Sequence, residues 1–347
     1  SGQELEDTVT NPVLVELVRG NMVESAHRGA AVVCDAAGTL RAAWGAVTRP
    51  VYPRSAYKAL QALALVETGA AAAAGVTDEE LALACASHSG EPMHTSRVAA
   101  WLSRIGCTEP DLACGPHLPY HEKSAHDLIR AGEKPCRLHN NCSGKHTGFL
   151  TLARHLGAPV AGYEQPAHPV QAHVRAAIAE MCGVAPGAMP VGIDGCAAPN
   201  SAIPLSGLAL GMARLANPAG LAPARAAAAE RLVSAWKAHP DLVSGTGRAC
   251  ADLISAARGR TVVKTGAEAV FMAALPEQGL GIALKIDDGG TRAAETVMAQ
   301  LLVLLGEADP DDPRIARHRN PPLRNWRGDV VGERRITAAL GVLGALD

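Results

Sequence analysis

Two β-hairpin patterns stand near opposite ends of the chain, and a long helical pattern separates them. The first hairpin has extended runs at 30–35 and 40–44 around a turn at 36–38, and the second has runs at 269–275 and 280–286. A lone hairpin is only marginally stable in water, so the strands from both ends must meet in one sheet. The order predicts a mixed α/β (α+β) fold, in which an antiparallel sheet is flanked by helices and interrupted by an inserted helical lobe.

Within this single unit, we expect a sheet lobe at about 23–53 and 259–347 and a helical lobe at about 54–258. The periodicity and the helix start and stop signals predict these helices: 56–67, 77–85, 91–104, 124–131, 143–156, 168–182, 203–215, 221–238 and 248–258, with a closing helix at 291–305. A strand is predicted at 261–264, and a last short strand at 330–331.

The composition argues against several classes of partner. The formal net charge of the 347 residues is −2, and aromatic residues make up 3%, which predicts neither a nucleic-acid surface nor attraction to an anionic membrane. No apolar stretch is long enough to span a membrane. Nine scattered cysteines and no visible signal peptide predict reduced thiols, and therefore a cytoplasmic protein.

Three separated motifs carry the catalytic prediction. Ser55-Ala56-Tyr57-Lys58 reads S-x-x-K, and Lys264-Thr265-Gly266 reads K-T-G. In this order they are typical of the serine hydrolases built like penicillin-binding proteins and class A β-lactamases, in which an S-D-N motif lies between them. Here Ser87-His88-Ser89 takes the middle position. The pattern therefore indicates a Ser/Lys acyl-transfer enzyme with an altered middle motif and a serine β-lactamase-like fold.

The residue types suit that chemistry. A free serine hydroxyl is a poor nucleophile, and Lys58 lies three residues after Ser55, about one helical turn away. Lys58 can accept the serine proton only when it is neutral, which a second cation nearby, Lys264, would favour. A helix N-terminus at Ser55 would also supply backbone N–H groups for an oxyanion.

A second cluster combines thiols with nitrogen and oxygen donors. Cys142, Lys145 and His146 follow one face of a predicted helix, and Asp194 stands two residues before Cys196. Cysteine pairs with His or Asp suit Zn²⁺ chemically, although this spacing matches no standard zinc finger. Two small buried cysteines beside a helix start are an equal alternative, and the pattern does not decide between them.

Taken together, these residues resemble the class 3, or Rhizobium-type, L-asparaginases, from about Val23 to Asp288. The matching blocks are Val23-Glu24-Ser25-Ala26-His27-Arg28, Arg54-Ser55-Ala56-Tyr57-Lys58, Cys85-Ala86-Ser87-His88-Ser89, Asn141-Cys142-Ser143-Gly144-Lys145-His146, Asp194-Gly195-Cys196, His239-Pro240, Gly245-Thr246-Gly247-Arg248 and Lys264. The segment 107–140 and the last fifty residues match poorly, so the resemblance leaves the substrate preference open.

The resemblance implies hydrolysis of L-asparagine to L-aspartate and ammonia by a homodimer, through two tandems, Ser55 with Lys58 and Ser87 with Lys264. It also implies a zinc ion beside the active site that helps to bind and shape it, and that does not activate the attacking water. Its ligands would be Cys142, Lys145 and Cys196. Arg54, Asp194 and His146 are expected to contribute to substrate binding or to support the metal site.

Two other interpretations remain open at this stage. The same machinery could act on glutamine, a β-lactam or a small ester, because glutaminases of this fold also use S-x-x-K. A non-catalytic zinc-binding or interaction protein could also have kept the scaffold. The complete set of Ser55, Lys58, Ser87 and Lys264 argues against that second alternative.

Overall fold

A computed structural model describes residues 10–341. The strands are β1 Val13–Arg19, β2 Met22–Asp35, β3 Leu40–Trp44, β4 Pro50–Val51, β5 Val191–Ile193, β6 Pro199–Ser201, β7 Ile203–Pro204, β8 Val262–Gly266, β9 Val270–Leu275, β10 Leu280–Ile286, β11 Pro322–Arg324 and β12 Val330–Ile336. Both predicted hairpins are confirmed, since β2 pairs with β3 and β9 pairs with β10, each antiparallel.

The α-helices are α1 Lys58–Glu67, α2 Ala70–Ala73, α3 Asp78–Ala84, α4 Pro92–Arg104, α5 Glu122–Arg130, α6 Ser143–His155, α7 Pro169–Cys182, α8 Leu205–Ala216, α9 Pro223–Ala238, α10 Pro240–Val243, α11 Ala249–Ala256, α12 Thr291–Leu304 and α13 Pro313–Arg319. Short 3₁₀ turns lie at Arg54–Tyr57, Glu109–Asp111, Arg137–His139, Pro186–Ala188, Ala267–Ala269 and Ala338–Leu340. Within residues 10–341, no helix combines the length and the hydrophobicity that crossing a membrane would require.

The packing divides the described residues into two units. The sheet unit consists of residues 10–56, 203–217 and 252–341, and the helical unit consists of residues 57–202 and 218–251. These bounds differ from the expected helical lobe at 54–258 in three places, because 54–56, 203–217 and 252–258 group with the sheet. The reason is packing: α8 lies against β2, β9 and β10, where Gly281 allows the backbone of the helix to approach the strand closely.

The sheet unit is built on one antiparallel sheet with the strand order β11-β12-β1-β2-β10-β9-β8, and β3 pairs with β2 beside this path. Strands from the two ends of the chain do meet, since Val33 of β2 lies opposite Ile282 of β10 and Leu17 of β1 lies opposite Arg334 of β12. All six residues of β9 are buried. Because helices α8 and α12 pack on the strands, the predicted class of an antiparallel sheet with helices and an inserted helical unit is confirmed.

The helical unit packs around α1, which contacts α3, α6, α7 and α9. Eight consecutive residues of α1, from Lys58 to Leu65, are buried, so this helix is enclosed on nearly all sides, as expected of a central helix. The predicted capping box at α3 is also confirmed. The Thr77 side chain accepts from the Glu80 N–H, and the Glu80 carboxylate accepts from the Thr77 N–H.

Candidate active site and thiol cluster

Ser55, the serine of the first motif, lies in the short 3₁₀ turn Arg54–Tyr57 that leads into α1. The α-helix itself begins at Lys58, two residues later than the start predicted at Ala56. Arg54 has a φ of 52°, in the left-handed region that non-glycine residues seldom adopt. The chain therefore changes direction immediately before the serine, and such a conformation is often found at functional sites.

The K-T-G motif lies at the end of β8, as its predicted strand context requires. Lys264 is fully buried, and its Nζ donates to the Thr265 carbonyl at 2.6 Å. Gly266 lies directly against the serine turn in the sheet unit: a Cβ on this residue would be 2.6 Å from the Pro53 oxygen and 3.2 Å from the Ser55 nitrogen. Only a residue without a side chain allows the end of β8 to come this close to the Ser55 backbone.

A strained backbone follows the K-T-G strand. Glu268 and Ala269 have φ values of 59° and 57°, so two consecutive non-glycine residues adopt the left-handed conformation. Each such residue costs about 1 kcal/mol or more, and the surrounding structure must hold it in place. Lys285 contributes to this, because its Nζ donates to the Glu268 carbonyl at 2.6 Å.

The lysine of the first motif meets the serine of the middle motif inside the helical unit. Lys58 is 1% exposed and Ser87 is 5% exposed. The Lys58 Nζ donates to the Ala86 carbonyl and lies 3.1 Å from the Ser87 Oγ. Burial confines this amine and this hydroxyl to one geometry, so a proton can pass between them through a single hydrogen bond.

His88, the central residue of the middle motif, connects this motif to helix α6 by hydrogen bonds. Its Nδ1 accepts from the Gly90 N–H at 3.2 Å, so its Nε2 carries the proton and donates to the Ser143 Oγ at 2.8 Å. Burial, and secondarily the nearby His94 and Lys58, hold the pKa of His88 well below its ordinary value. His88 is therefore neutral, and it fastens the loop of the middle motif to the start of α6.

Cys142, Lys145 and Cys196, here called the thiol cluster, lie together within the helical unit. Cys142 precedes α6, Lys145 lies in the first turn of that helix, and Cys196 lies in the turn between β5 and β6. Each of the three is 4% exposed. The Lys145 Nζ donates to the Cys196 Sγ at 3.1 Å, so residues about fifty positions apart are in direct contact.

The surroundings of Cys196 favour the thiolate form of its side chain. The hydrogen bond from the Cys142 thiol lowers the pKa of Cys196, and the Lys145 charge adds to this effect against the opposing influence of burial. The same hydrogen bond and burial raise the pKa of Cys142. Burial disfavours the charge of Lys145, but Cys196, Cys142 and Asp194 outweigh it and raise the pKa of the amine. The cluster thus pairs an acidic thiol with a cationic amine.

The donor set fits a zinc ion. Two cysteine sulfurs and one amine nitrogen lie together in a buried position, and zinc binds such donors at about 2.0–2.3 Å, which puts neighbouring ligand atoms about 3.5 Å apart. In the described part of the chain, no group of three or more His, Cys, Asp or Glu side chains is arranged to hold a metal. The family resemblance implies Lys145 as the third ligand, and this amine must lose its proton to bind. The zinc site stays a prediction.

Asp194 and His146 lie near this cluster in different ways. Asp194 begins the tight turn that contains Cys196, and its carboxylate accepts from the Gly195 N–H at 2.7 Å. The Nδ1 of His146 is 2.6 Å from the Tyr163 hydroxyl, which also accepts from the Ala113 N–H. The Tyr163 hydroxyl therefore donates to Nδ1, and the proton of His146 is on Nε2, which is buried without a hydrogen-bond partner among the described residues. Nε2 is thus an available donor.

Two residues in contact with the middle motif were given no role from the sequence, although Arg248 stands in one of the matching blocks. Arg248 donates to the Ser87 carbonyl at 2.7 Å, and Glu91 accepts from the Ser89 hydroxyl at 2.7 Å. The sequence Gly245-Thr246-Gly247 signals a tight turn before Arg248, but a turn signal does not tell which distant segment the turn will contact.

The chain matches the model of the family described as L-asparaginase II over residues 15–336. No curated protein matches it at a significant level. Two solved chains are similar to it in structure. One is a beta-lactamase from Mycobacterium bovis, with a TM-score of 0.40 and 14% identity, covering 89% of this chain and 100% of that one. The other, from Bacteroides dorei, is described as a beta-lactamase and has a TM-score of 0.39 and 13% identity, covering 82% of this chain and 87% of that one.

The family match covers the serine turn, both lysines of the motifs, the middle motif and the thiol cluster. It confirms the resemblance to an L-asparaginase family that the separated sequence blocks indicated, while the fold assignment rests on the strand order and helix packing described above. The chain belongs to the L-asparaginase II family.

Proposed function

We propose that this protein hydrolyses L-asparagine to L-aspartate and ammonia through an acyl-enzyme on Ser55. The family match supports an amidohydrolase of the asparaginase type. The observation that carries the mechanism is the buried contact of 3.1 Å between the Lys58 Nζ and the Ser87 Oγ. It joins the lysine of the first motif to the serine of the middle motif, as a Ser/Lys proton path requires.

In the acylation step, neutral Lys58 takes the proton of Ser55, and the Ser55 Oγ attacks the side-chain amide carbon of asparagine. The developing oxyanion accepts from the backbone N–H groups of Ser55 and of the residue that follows Gly266. The close approach of Gly266 to the Ser55 nitrogen supports this assignment. Fixed donors at this point are worth several kcal/mol in acyl-transfer enzymes.

The departing amide nitrogen needs a proton, and we assign its delivery to Ser87 and Lys264. The Ser87 hydroxyl gives its proton to the leaving ammonia and is replenished from a lysine. Water then attacks the aspartyl ester of Ser55, and the same groups carry protons in the reverse sense. The direct hydrogen bond between Lys58 and Ser87 supports a shared path for both steps.

Arg54, Asp194 and His146 are proposed to orient the substrate or support the metal site. Asp194 is a carboxylate beside the thiol cluster, suited to the α-ammonium group of asparagine, and the buried Nε2–H of His146 can donate to an oxygen. Cys142, Lys145 and Cys196 would hold the zinc ion. When bound, zinc would supply a fixed positive charge that shapes the binding site.

Activity on several amides separates this proposal from its nearest alternative. Ammonia release is measured with asparagine and glutamine, and ring opening with a chromogenic β-lactam, each with and without added zinc. We expect asparagine to be the best substrate and Ser55→Ala to reduce its turnover by at least about 10³-fold, because the residual rate rests on binding alone. Faster turnover of glutamine would make the protein a glutaminase, and full activity of Ser55→Ala would refute the Ser55 acyl-enzyme.

The metal assignment has its own test with a matched control. Cys142 and Cys107 are both buried cysteines of the helical unit, each 4% exposed, but only Cys142 belongs to the thiol cluster. We expect purified wild-type protein and Cys107→Ala to contain about one zinc per chain, and Cys142→Ala to contain much less. Equal zinc in the two variants, or none in the wild type, would contradict the assignment. The homodimer, which the resemblance alone suggests, is tested by light scattering on the same samples.

A further inference from the structure

We infer that residues 243–248, here called the clamp loop, position Ser87 for catalysis, and that Arg248 is the positioning residue that does so. The inference rests on the proposed function, because it assigns a role around the same serine. All residues of the argument lie in the helical unit. Arg248 forms hydrogen bonds with the carbonyls of Ser87 and Ser244, and it is therefore expected to act on the reaction through Ser87.

Both backbone hydrogen-bonding groups of Ser87 are held by the clamp loop. The Ser87 N–H donates to the Val243 carbonyl at 3.0 Å, and the Ser87 carbonyl accepts from the Arg248 Nη1 at 2.7 Å. The same Nη1 lies 3.3 Å from the Ser244 carbonyl, so one guanidinium group joins the loop to the serine. A bond from a charged donor to a buried carbonyl is stronger than a neutral one.

The clamp loop is itself fastened to the residues after Ser87. The Glu91 carboxylate accepts from the Thr246 N–H and from the Thr246 hydroxyl, each at 3.0 Å, and from the Ser89 hydroxyl at 2.7 Å. Gly245 has a φ of 126°, and a Cβ there would lie 2.0 Å from the Ser89 Oγ. The two segments are therefore in contact along several residues, and neither can shift without the other.

The consequence concerns the Ser87 hydroxyl. With N–H and carbonyl both fixed, the direction of the Ser87 Cα–Cβ bond is set, and from this position its Oγ reaches the Lys58 Nζ at 3.1 Å. Arg248 is partly exposed, and its guanidinium carbon lies 5.7 Å from the centre of the Tyr120 ring, a cation–π contact that limits the conformations of its side chain. Arg248 therefore acts through Ser87 and not on the substrate.

The test compares two arginines that make the same type of bond. Arg248→Met removes the donors and keeps most of the side-chain length, and Arg248→Lys keeps one donor. The matched control is Arg231→Met. The Arg231 Nη2 donates to the Val76 carbonyl at 2.7 Å, in the same unit but outside the clamp loop and the thiol cluster. Ammonia release from asparagine and hydrogen exchange of the 85–91 peptide are measured for each purified, folded variant.

We expect Arg248→Met to lower kcat by about 10- to 100-fold with little change in KM, because a displacement of about 1 Å of a reacting group costs on the order of 10²-fold in rate. Arg248→Lys should recover part of kcat, and Arg231→Met should keep wild-type kcat. Exchange in 85–91 should be faster only in Arg248→Met. A merely structural arginine would lower the unfolding temperature in both Met variants and leave kcat of the folded fraction unchanged.

The outcomes separate this inference from the proposed function. Wild-type kcat in folded Arg248→Met overturns the inference and leaves the asparaginase proposal intact. A Ser87→Ala variant with full activity overturns the role proposed for Ser87. A wild-type protein that is inactive on asparagine overturns the proposed activity itself. In either case, hydrogen exchange of the 85–91 peptide still tests whether the clamp loop holds Ser87. Unchanged exchange in Arg248→Met would overturn the inference as well.

Discussion

Replacing Gly266 by alanine tests whether the end of the K-T-G strand and the serine turn form one working unit. In the sheet unit, the added Cβ would be 2.6 Å from the Pro53 oxygen, 2.9 Å from the Ala56 nitrogen and 3.2 Å from the Ser55 nitrogen. All three are backbone atoms, which cannot rotate away as the end of a flexible side chain can. The strand or the turn must therefore move.

The size of the movement follows from these distances. An ordinary contact for a Cβ begins at 3.4 Å, so relief of the closest contact requires a displacement of about 0.8 Å. Misplacing reacting groups by about 1 Å costs on the order of 10²-fold in rate, or about 2.7 kcal/mol in the activation free energy. Overpacking of this kind also lowers the free energy of unfolding by about 1–3 kcal/mol, which a domain of normal stability tolerates.

Gly29→Ala provides the matched control. Its Cβ would also lie 2.6 Å from a backbone oxygen, that of Lys285, and 2.9 Å from the Ile286 side chain, within the ladder between β2 and β10. Both variants should unfold at lower temperature, but only Gly266→Ala should lose about 100-fold in kcat on asparagine. Folded Gly266→Ala with at least half of the wild-type kcat would refute the reasoning, as would an equal loss of activity in Gly29→Ala.

The remaining predictions concern stability. Burial lowers the pKa values of His88 and His94, so the folded state takes up fewer protons than the unfolded chain as the pH drops below about 6.5, and stability should fall there, by at most about 1.4 kcal/mol per pH unit for each histidine. Urea unfolding between about pH 7 and 5 measures the slope, which His94→Gln should reduce. Arg225→Met should cost about 2 kcal/mol, because it leaves the partly buried Glu67, bonded to Arg225 at 2.7 and 2.8 Å, without this partner; a loss below about 0.5 kcal/mol would contradict this. Thr77→Ala should cost about 1 kcal/mol by removing the α3 cap, with Thr77→Ser close to wild type in the same assay.

The fold was predictable from the sequence where local signals and a global requirement agreed. The capping box at Thr77 and the helix at α4 carry their own start and stop signals, and both are present. The meeting of strands from the two chain ends followed from the instability of a lone hairpin. The extent of β2 did not follow: it begins at Met22, eight residues before the predicted strand. Its first half is mostly exposed, and its pairing with β1 is what makes it a strand.

The boundary between the units was harder to predict, for a physical reason. Residues 205–216 form a good helix on local criteria, and local criteria do not say which neighbour a helix covers. The deciding feature is Gly281, whose Cβ would be 2.1 Å from the Ala209 oxygen, so that α8 fits closely on β10. A glycine in a strand pattern signals close approach of a backbone, but not which one.

The candidate site was partly predictable in the same sense. The spacing of Ser55 and Lys58 and the residues of the thiol cluster were identified from motif order and from the resemblance, and the structure brings Cys196 into contact with Lys145. The bond between Lys58 and Ser87 was not expected, since the resemblance paired Ser87 with Lys264. Pairings of this kind depend on tertiary packing around a buried helix, which residue spacing does not encode.

The long second strand has a consequence for synthesis of the chain. Residue Asp35 at its end lies opposite Leu280, so about 250 residues must be added before that side of the strand finds its neighbour. At translation rates of about 5–20 residues per second, the wait lasts about 12–50 s. During this interval the alanine- and valine-rich half of β2 has left the ribosome, but its backbone N–H and C=O groups have no strand β10 to pair with. We expect the nascent chain to depend most on chaperones in this period.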